Sequence, residues 1–237
     1  MNFDRLAPFY RGMELILAGE KLHRCRTAFL HSIRTPRHVL VIGDGNGRFL
    51  AEGVKVWPSA RFVSVDSSVP MLDLARRRIS TIPGGTERVE FVHADVLRWH
   101  PPNRQFDLVV TLFVLDCFVA DELEHLVQLL STGAASGATW LVSDFCVPGS
   151  GPLRWRARAI HWLLYRFFRV ATKLSATRLT SPDEFLMAQG FELRERKRLE
   201  WGLLHADWWE RKKTSNLLEL PPSNRGCKNP EVSLSYH

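Results

Sequence analysis

The chain has 237 residues, 45% of them hydrophobic, enough for one large α/β domain with a full core. Four cysteines, Cys25, Cys117, Cys146 and Cys227, stand far apart with no Cys-x-x-Cys pair; neither a disulfide framework nor a metal site is expected, and a reducing cytoplasm is the default location. The net charge of +7 raises RNA or anionic lipid as partners, while no stretch approaches the roughly 20 apolar residues of a membrane span. Asp4, Arg5, Arg11, Glu14 and Glu20 speak against an apolar leader in the first twenty residues.

A helical stretch from Phe9 to Ile33, broken around Gly12 and Gly19, leads to an apolar strand, Val39-Leu40-Val41-Ile42. The strand opens into Gly43-Asp44-Gly45-Asn46-Gly47. Glycine at alternate positions lets the backbone turn tightly and approach a ligand with no Cβ in the way. Arg48 stands where the dinucleotide fingerprint Gly-x-Gly-x-x-Gly places its last glycine, which favours S-adenosylmethionine (SAM), a cofactor without phosphate, over NAD or FAD. The competing reading is a plain glycine-rich turn between a buried strand and a helix.

A helix over Arg48 to Val56 precedes a second strand, Arg61-Phe62-Val63-Ser64-Val65-Asp66. Its terminal carboxylate lies 19 positions beyond Gly47, the length that one helix and one strand consume. Asp66 there suits ribose hydroxyls. After a helix over Pro70 to Ser80, a third strand from Val89 to Val96 carries Asp95, placed to accept from an adenine amine. A fourth, Phe106 to Leu112, is nearly all apolar, as a central parallel strand covered on both faces should be. Helix capping would explain Asp66 or Asp95 singly, but not the order of all four strands.

Further on, helices are expected over Asp121 to Leu130, Leu153 to Lys173 and Ser181 to Gln189, where Ser181-Pro182-Asp183-Glu184 makes a good helix start. Strands are expected over Ala138 to Cys146, Phe191 to Trp201 and Leu203 to Trp208. The alternation implies a mostly parallel sheet with helices on both faces. Residues 1–213 are expected to form a single domain, with an N-terminal helical cap and a lid helix over 153–173; residues 214–237 read as a loosely held tail.

At the level of motifs, Phe3-Asp4-Arg5-Leu6-Ala7-Pro8-Phe9-Tyr10, the Gly43 to Gly47 loop, Asp66-Ser67-Ser68-Val69-Pro70-Met71-Leu72, His93-Ala94-Asp95-Val96 and Phe106 to Val110 together resemble the class I SAM-dependent methyltransferases. The likeness is to the ubiquinone/menaquinone-biosynthesis-like and small-molecule group. It implies a Rossmann-like, doubly wound seven-stranded sheet of order 3-2-1-4-5-7-6 with the last strand antiparallel. It also implies that Gly43, Asp44, Gly45 and Gly47 surround the methionine moiety and that Asp66 and Ser67 adjoin the ribose. Met71 would pack on adenine, Asp95 and the Val96 amide would read its edge, Thr111 would lie beside the sulfonium, and Tyr10 would close over the cofactor. One departure stands out: the family usually has an acid two residues before the first glycine, where this chain has Val41, and Asp44 is expected to take over that role.

The acceptor should lie beyond the carboxyl ends of strands 4 and 5, where strand order reverses. Candidate general bases are Asp116 and Asp144, with Tyr10 and His161 behind them. Between Leu153 and Val170 five arginines alternate with aromatic residues and no acid occurs, which fits either a lid over the site or a contact with a membrane surface. Arg194, Arg196 and Arg198 read as the solvated side of an edge strand. Strand 4 is followed by Phe113-Val114-Leu115-Asp116 rather than an Asn/Asp-Pro-Pro-aromatic turn, which disfavours nucleic acid. The expected function is methyl transfer to a small-molecule, quinone-like or amphiphilic lipid acceptor. RNA methylation, SAM binding without turnover and dinucleotide-dependent reduction are the alternatives, and the oligomeric state is not specified by the sequence.

Overall fold

The computed structural model describes residues 19–146 and 180–213. Tyr10, His161, the 153–173 helix and the 214–237 tail lie outside them.

Seven strands form one sheet: β1 (His38–Ile42), β2 (Arg61–Asp66), β3 (Val89–His93), β4 (Phe106–Leu112), β5 (Ala134–Phe145), β6 (Phe191–Leu199) and β7 (Leu204–Arg211). Their order is β3-β2-β1-β4-β5-β7-β6. The pairs among the first five strands are parallel, whereas β7 runs antiparallel to both β5 and β6. The expected strand order and antiparallel last strand are therefore present.

Among the described residues, five α-helices flank the sheet: α1 (Gly19–Arg26), α2 (Arg48–Val56), α3 (Val69–Ser80), α4 (Ala120–Gly133) and α5 (Asp183–Ala188). One face packs Phe29 and Leu30, Phe49, Leu50 and Val54 of α2 and Ile79 of α3 against Val39, Val41, Val110 and Leu141. The other packs Leu123, Leu126 and Leu130 of α4 and Leu186 of α5 against Leu40, Ile42, Val109, Trp140 and Val142. Adjacent residues of one strand thus serve opposite layers, which is why Val39 to Ile42 of β1 and Leu108 to Val110 of β4 are unbroken apolar runs.

Several boundaries differ from expectation for local reasons. The third strand stops at His93 because the Asp95 side chain accepts the Leu97 amide at 3.1 Å and its carbonyl accepts those of Arg98 and Trp99, starting a turn. The fifth begins four residues early, at Ala134, because Gly137 at φ 72° lets the chain swing back into register after an irregularity opposite Phe106. Ser181 does not cap the helix after it: α5 starts at Asp183, and the Ser181 hydroxyl donates to the Asp183 carboxylate at 2.7 Å.

Candidate active site

The parallel strands end at one edge, and there the Gly43 to Gly47 loop, Asp66 and the turn after β4 converge. All three loop glycines have positive φ, 76°, 59° and 77° in turn. They are not equivalent. A Cβ on Gly43 would sit 2.0 Å from Val114 Cγ2, and one on Gly47 would sit 2.9 Å from the Ala75 Cα of α3. A Cβ on Gly45 would meet only the Met71 sulfur, at 3.8 Å. Two glycines therefore let the protein pack against itself, and the middle one leaves open space beside a buried thioether.

Val41 lies fully buried in the core, and Asp44 points into the start of α2. Its Oδ1 accepts the Phe49 amide at 3.0 Å and its Oδ2 the Leu50 amide at 2.9 Å, satisfying donors that a helix N-terminus leaves open. Burial pushes this carboxyl up to about 6 against the pull of Arg26 and the two amides. Arg26, itself buried, stacks over Phe113 at 5.2 Å. From α3, Arg78 Nε donates to the Asn46 carbonyl at 2.9 Å and holds the loop from behind.

Asp66 spans the gap between the two loops. It accepts the amides of Ser68, Gly45 and Ser67, the first at 2.9 Å, so one carboxylate fixes both the start of α3 and the middle of the glycine turn. Burial raises its pKa in spite of these amides and the nearby His93. His93 pairs with Asp66 across β2 and β3 and donates from Nε2 to the Ser67 carbonyl at 3.1 Å, a support for this corner that sequence reading left without a role. Asp95 is exposed at the adjacent turn, and Val96 packs at the edge of the core. Thr111 is fully buried, its hydroxyl accepting from Trp140 Nε1 at 3.2 Å.

On the acceptor side, Phe113 holds φ 56°, a conformation that costs a non-glycine residue about 1–3 kcal/mol. Its amide donates to the Ser143 carbonyl at 2.7 Å and its ring packs on Phe145 at 5.2 Å. The strained turn brings Asp116 to Asp144. Asp144 accepts the Asp116 amide and, on Oδ1, the Val114 amide at 3.1 Å, and the Cys117 thiol lies 3.6 Å from Asp116 Oδ1. Burial pushes Asp116 up to about 6; burial and the charges of Asp116 and Asp207 push Asp144 well above the usual carboxylate range. Like charges this close in a dry site favour keeping one proton between them.

Sequence reading missed what lies behind this pair. His205 sits directly across from Asp144 in the β5–β7 register, and Asp207 follows on the same face. Asp207, fully buried, takes both Nε and Nη2 of Arg196 at 2.7 Å, and Arg196 reaches Asp183 at 2.8 Å. Arg196 is thus no solvated edge charge. Burial works against the Asp207 anion, yet His205 and Arg196 hold its pKa below the ordinary value. The His-x-Asp alternation on a strand next to one ending in Asp144 was the available signal. Among the described residues no group of three or more His, Cys, Asp or Glu is arranged to hold a metal ion.

Residues 39–133 match the family model of a methyltransferase domain. Together with the seven-stranded order, this match makes the chain similar to the class I SAM-dependent methyltransferases. Among curated proteins the chain is similar to trans-aconitate 2-methyltransferase of Rhodopseudomonas palustris (strain BisB5), 34% identical over 45% of this chain and 38% of that one. It is also similar to demethylmenaquinone methyltransferase of Roseiflexus sp. (strain RS-1), 27% identical over 69% of this chain and 65% of that one. The chain thus spans between about a third and two thirds of the length of these relatives. A solved structure of Burkholderia thailandensis 1,6-didemethyltoxoflavin-N1-methyltransferase, with 1,6-didemethyltoxoflavin and S-adenosylhomocysteine bound, shares the fold at a TM-score of 0.59 and 21% identity, covering 88% of this chain and 87% of that one.

Proposed function

We propose that the protein transfers the methyl group of SAM to a small-molecule acceptor. The observation that carries the reading is Gly45: alone among the three loop glycines it borders open space, and its amide is fixed by the Asp66 carboxylate. A bare backbone bend beside a carboxylate, at the mouth of parallel strands, suits a sugar-bearing cofactor without phosphate. In this reading Gly43, Gly45 and Gly47 shape the seat of the methionine moiety, and Asp44 fixes the turn by capping α2. Asp66 and Ser67 adjoin the ribose, Met71 packs on adenine, Asp95 and Val96 read its edge, and Thr111 supports the strand end near the sulfonium.

SAM is already activated, so the protein's main task is to hold two reactants at attack distance, an effect worth up to about 7–11 kcal/mol. The nucleophile's electron pair forms the new bond to the methyl carbon as the carbon–sulfur bond breaks, leaving a neutral thioether. A proton-bearing acceptor then needs a base, and in this reading Asp116 with Asp144 supplies it, with Tyr10 as a further candidate.

The acceptor we favour is a quinone-like or amphiphilic molecule, supported by the likeness to demethylmenaquinone methyltransferase and by the arginine- and aromatic-rich 153–170 segment as a peripheral membrane contact. Residues 1–213 then act as one catalytic unit in the cytoplasm. No helix among the described residues is long and apolar enough to cross a membrane. Incubation with methyl-labelled SAM and a fractionated cell extract tests this: label in the lipid or small-molecule fraction is expected, and label confined to RNA would refute it.

A further inference from the structure

Burial and mutual repulsion raise both carboxyls of the Asp116–Asp144 pair, and a pair that favours keeping one proton is a poor final store for a second. The structure provides an outlet. His205 lies across from Asp144 on the neighbouring strand, buried to 7% exposure. Its Nδ1 is 3.0 Å from Asp207 Oδ1, close but off-axis for a hydrogen bond, as contacts that tighten only with reactants bound often are. Asp207 is in turn clamped by Arg196 through two bonds of 2.7 Å. This arrangement turns Nδ1 toward an anion and leaves Nε2 as the ring nitrogen on the other side.

We propose that His205, oriented by Asp207 and Arg196, is a positioning residue that draws the acceptor's proton onward from the Asp116–Asp144 pair during methyl transfer. The inference rests on the methyltransferase reading above. In balance, the acceptor X–H gives its electron pair to the methyl carbon, the carbon–sulfur pair returns to sulfur, and the proton from X enters the carboxyl pair. The pair passes one proton to Nε2, and the resulting imidazolium is neutralised by Asp207. The charged and titratable groups around His205 are Asp116 after β4, Asp144 on β5, Asp207 on β7, and Arg196 and Arg198 on β6, the last its direct cross-strand neighbour. From the α1 side, the Cys25 thiol donates to the His205 carbonyl at 3.2 Å.

The decisive test needs no acceptor. Nitrogen-15 spectra of the full-length protein, with His205→Gln to assign the ring, should show the proton on Nδ1 and a bare Nε2; a proton on Nε2 overturns the proposal. In parallel, His205→Gln should bind SAM with unchanged affinity by calorimetry. Its label transfer into extract should fall by about ten- to a hundredfold, within the range a proton-transfer group contributes, with the acceptor KM little changed. Wild-type transfer rates in that variant refute the relay and leave the methyltransferase reading standing. Failure of the unaltered protein to bind SAM refutes that reading instead.

Discussion

Gly45 and Met71 face each other across the one unfilled position of the glycine turn, with 3.8 Å between a Cβ built on the glycine and the methionine sulfur. Their neighbours Gly43 and Gly47 are closed by Val114 and Ala75. Substitutions along the turn should therefore separate. Gly45→Ala should cost only the strain of a left-handed backbone, about 1–2 kcal/mol. Gly47→Ala adds a clash with the α3 backbone and should cost about 2–4 kcal/mol. Urea denaturation of the two variants checks the order.

Asp66 orders both loops, so its removal should damage the ligand site more than the fold. Asp66→Ala should weaken SAM binding by about 1.5–3 kcal/mol, the loss expected for a hydrogen-bonded charge. Titration calorimetry against the unaltered protein measures it. Equal affinity in the two proteins would show that the carboxylate faces no part of the cofactor.

The pH dependence of stability has a definite sign at Asp44. Its carboxyl stands at about 6 when folded and at an ordinary carboxylate value when unfolded, so the native state binds the extra proton between the two. The stabilisation is complete below about 4 and is lost as the pH rises through about 6, on the order of 3 kcal/mol. Asp116, raised in the same direction, adds to the slope. Asp44→Asn should lower stability overall through its halved helix cap, yet flatten the decline between pH 4 and 6. Denaturant midpoints across that range test the slope separately from the offset.

The Arg196–Asp207 clamp should respond asymmetrically. Arg196→Ala strands a fully buried carboxylate and should cost about 3–5 kcal/mol. Asp207→Ala leaves Arg196 with Asp183 and partial access to water, so its cost should be smaller. Thermal melting of both variants gives the comparison, and equal losses would mean that Asp207 is not the partner that depends on the clamp.

The sheet was legible because β1 and β2 announce themselves through largely apolar runs ending in glycine and aspartate, and β4 through a nearly continuous apolar run, a pattern set by burial on both faces. The cofactor edge followed from Gly43 to Asp66 for the same reason. What stayed hidden depends on pairing across strands distant in sequence. Arg196 reads as a surface charge until β7 is laid beside β6 and brings Asp207 opposite it. His205 reads as a lone histidine until β5 sets Asp144 against it. The separate duties of the three glycines were equally invisible, since only the positions of Val114 and Ala75 distinguish them from Gly45.

The most direct test of the account is calorimetric titration of SAM into the full-length protein and into Gly45→Val. The account predicts saturable one-to-one binding to the first and none to the second, with the variant retaining a cooperative melting transition. SAM binding of equal strength to both would contradict it.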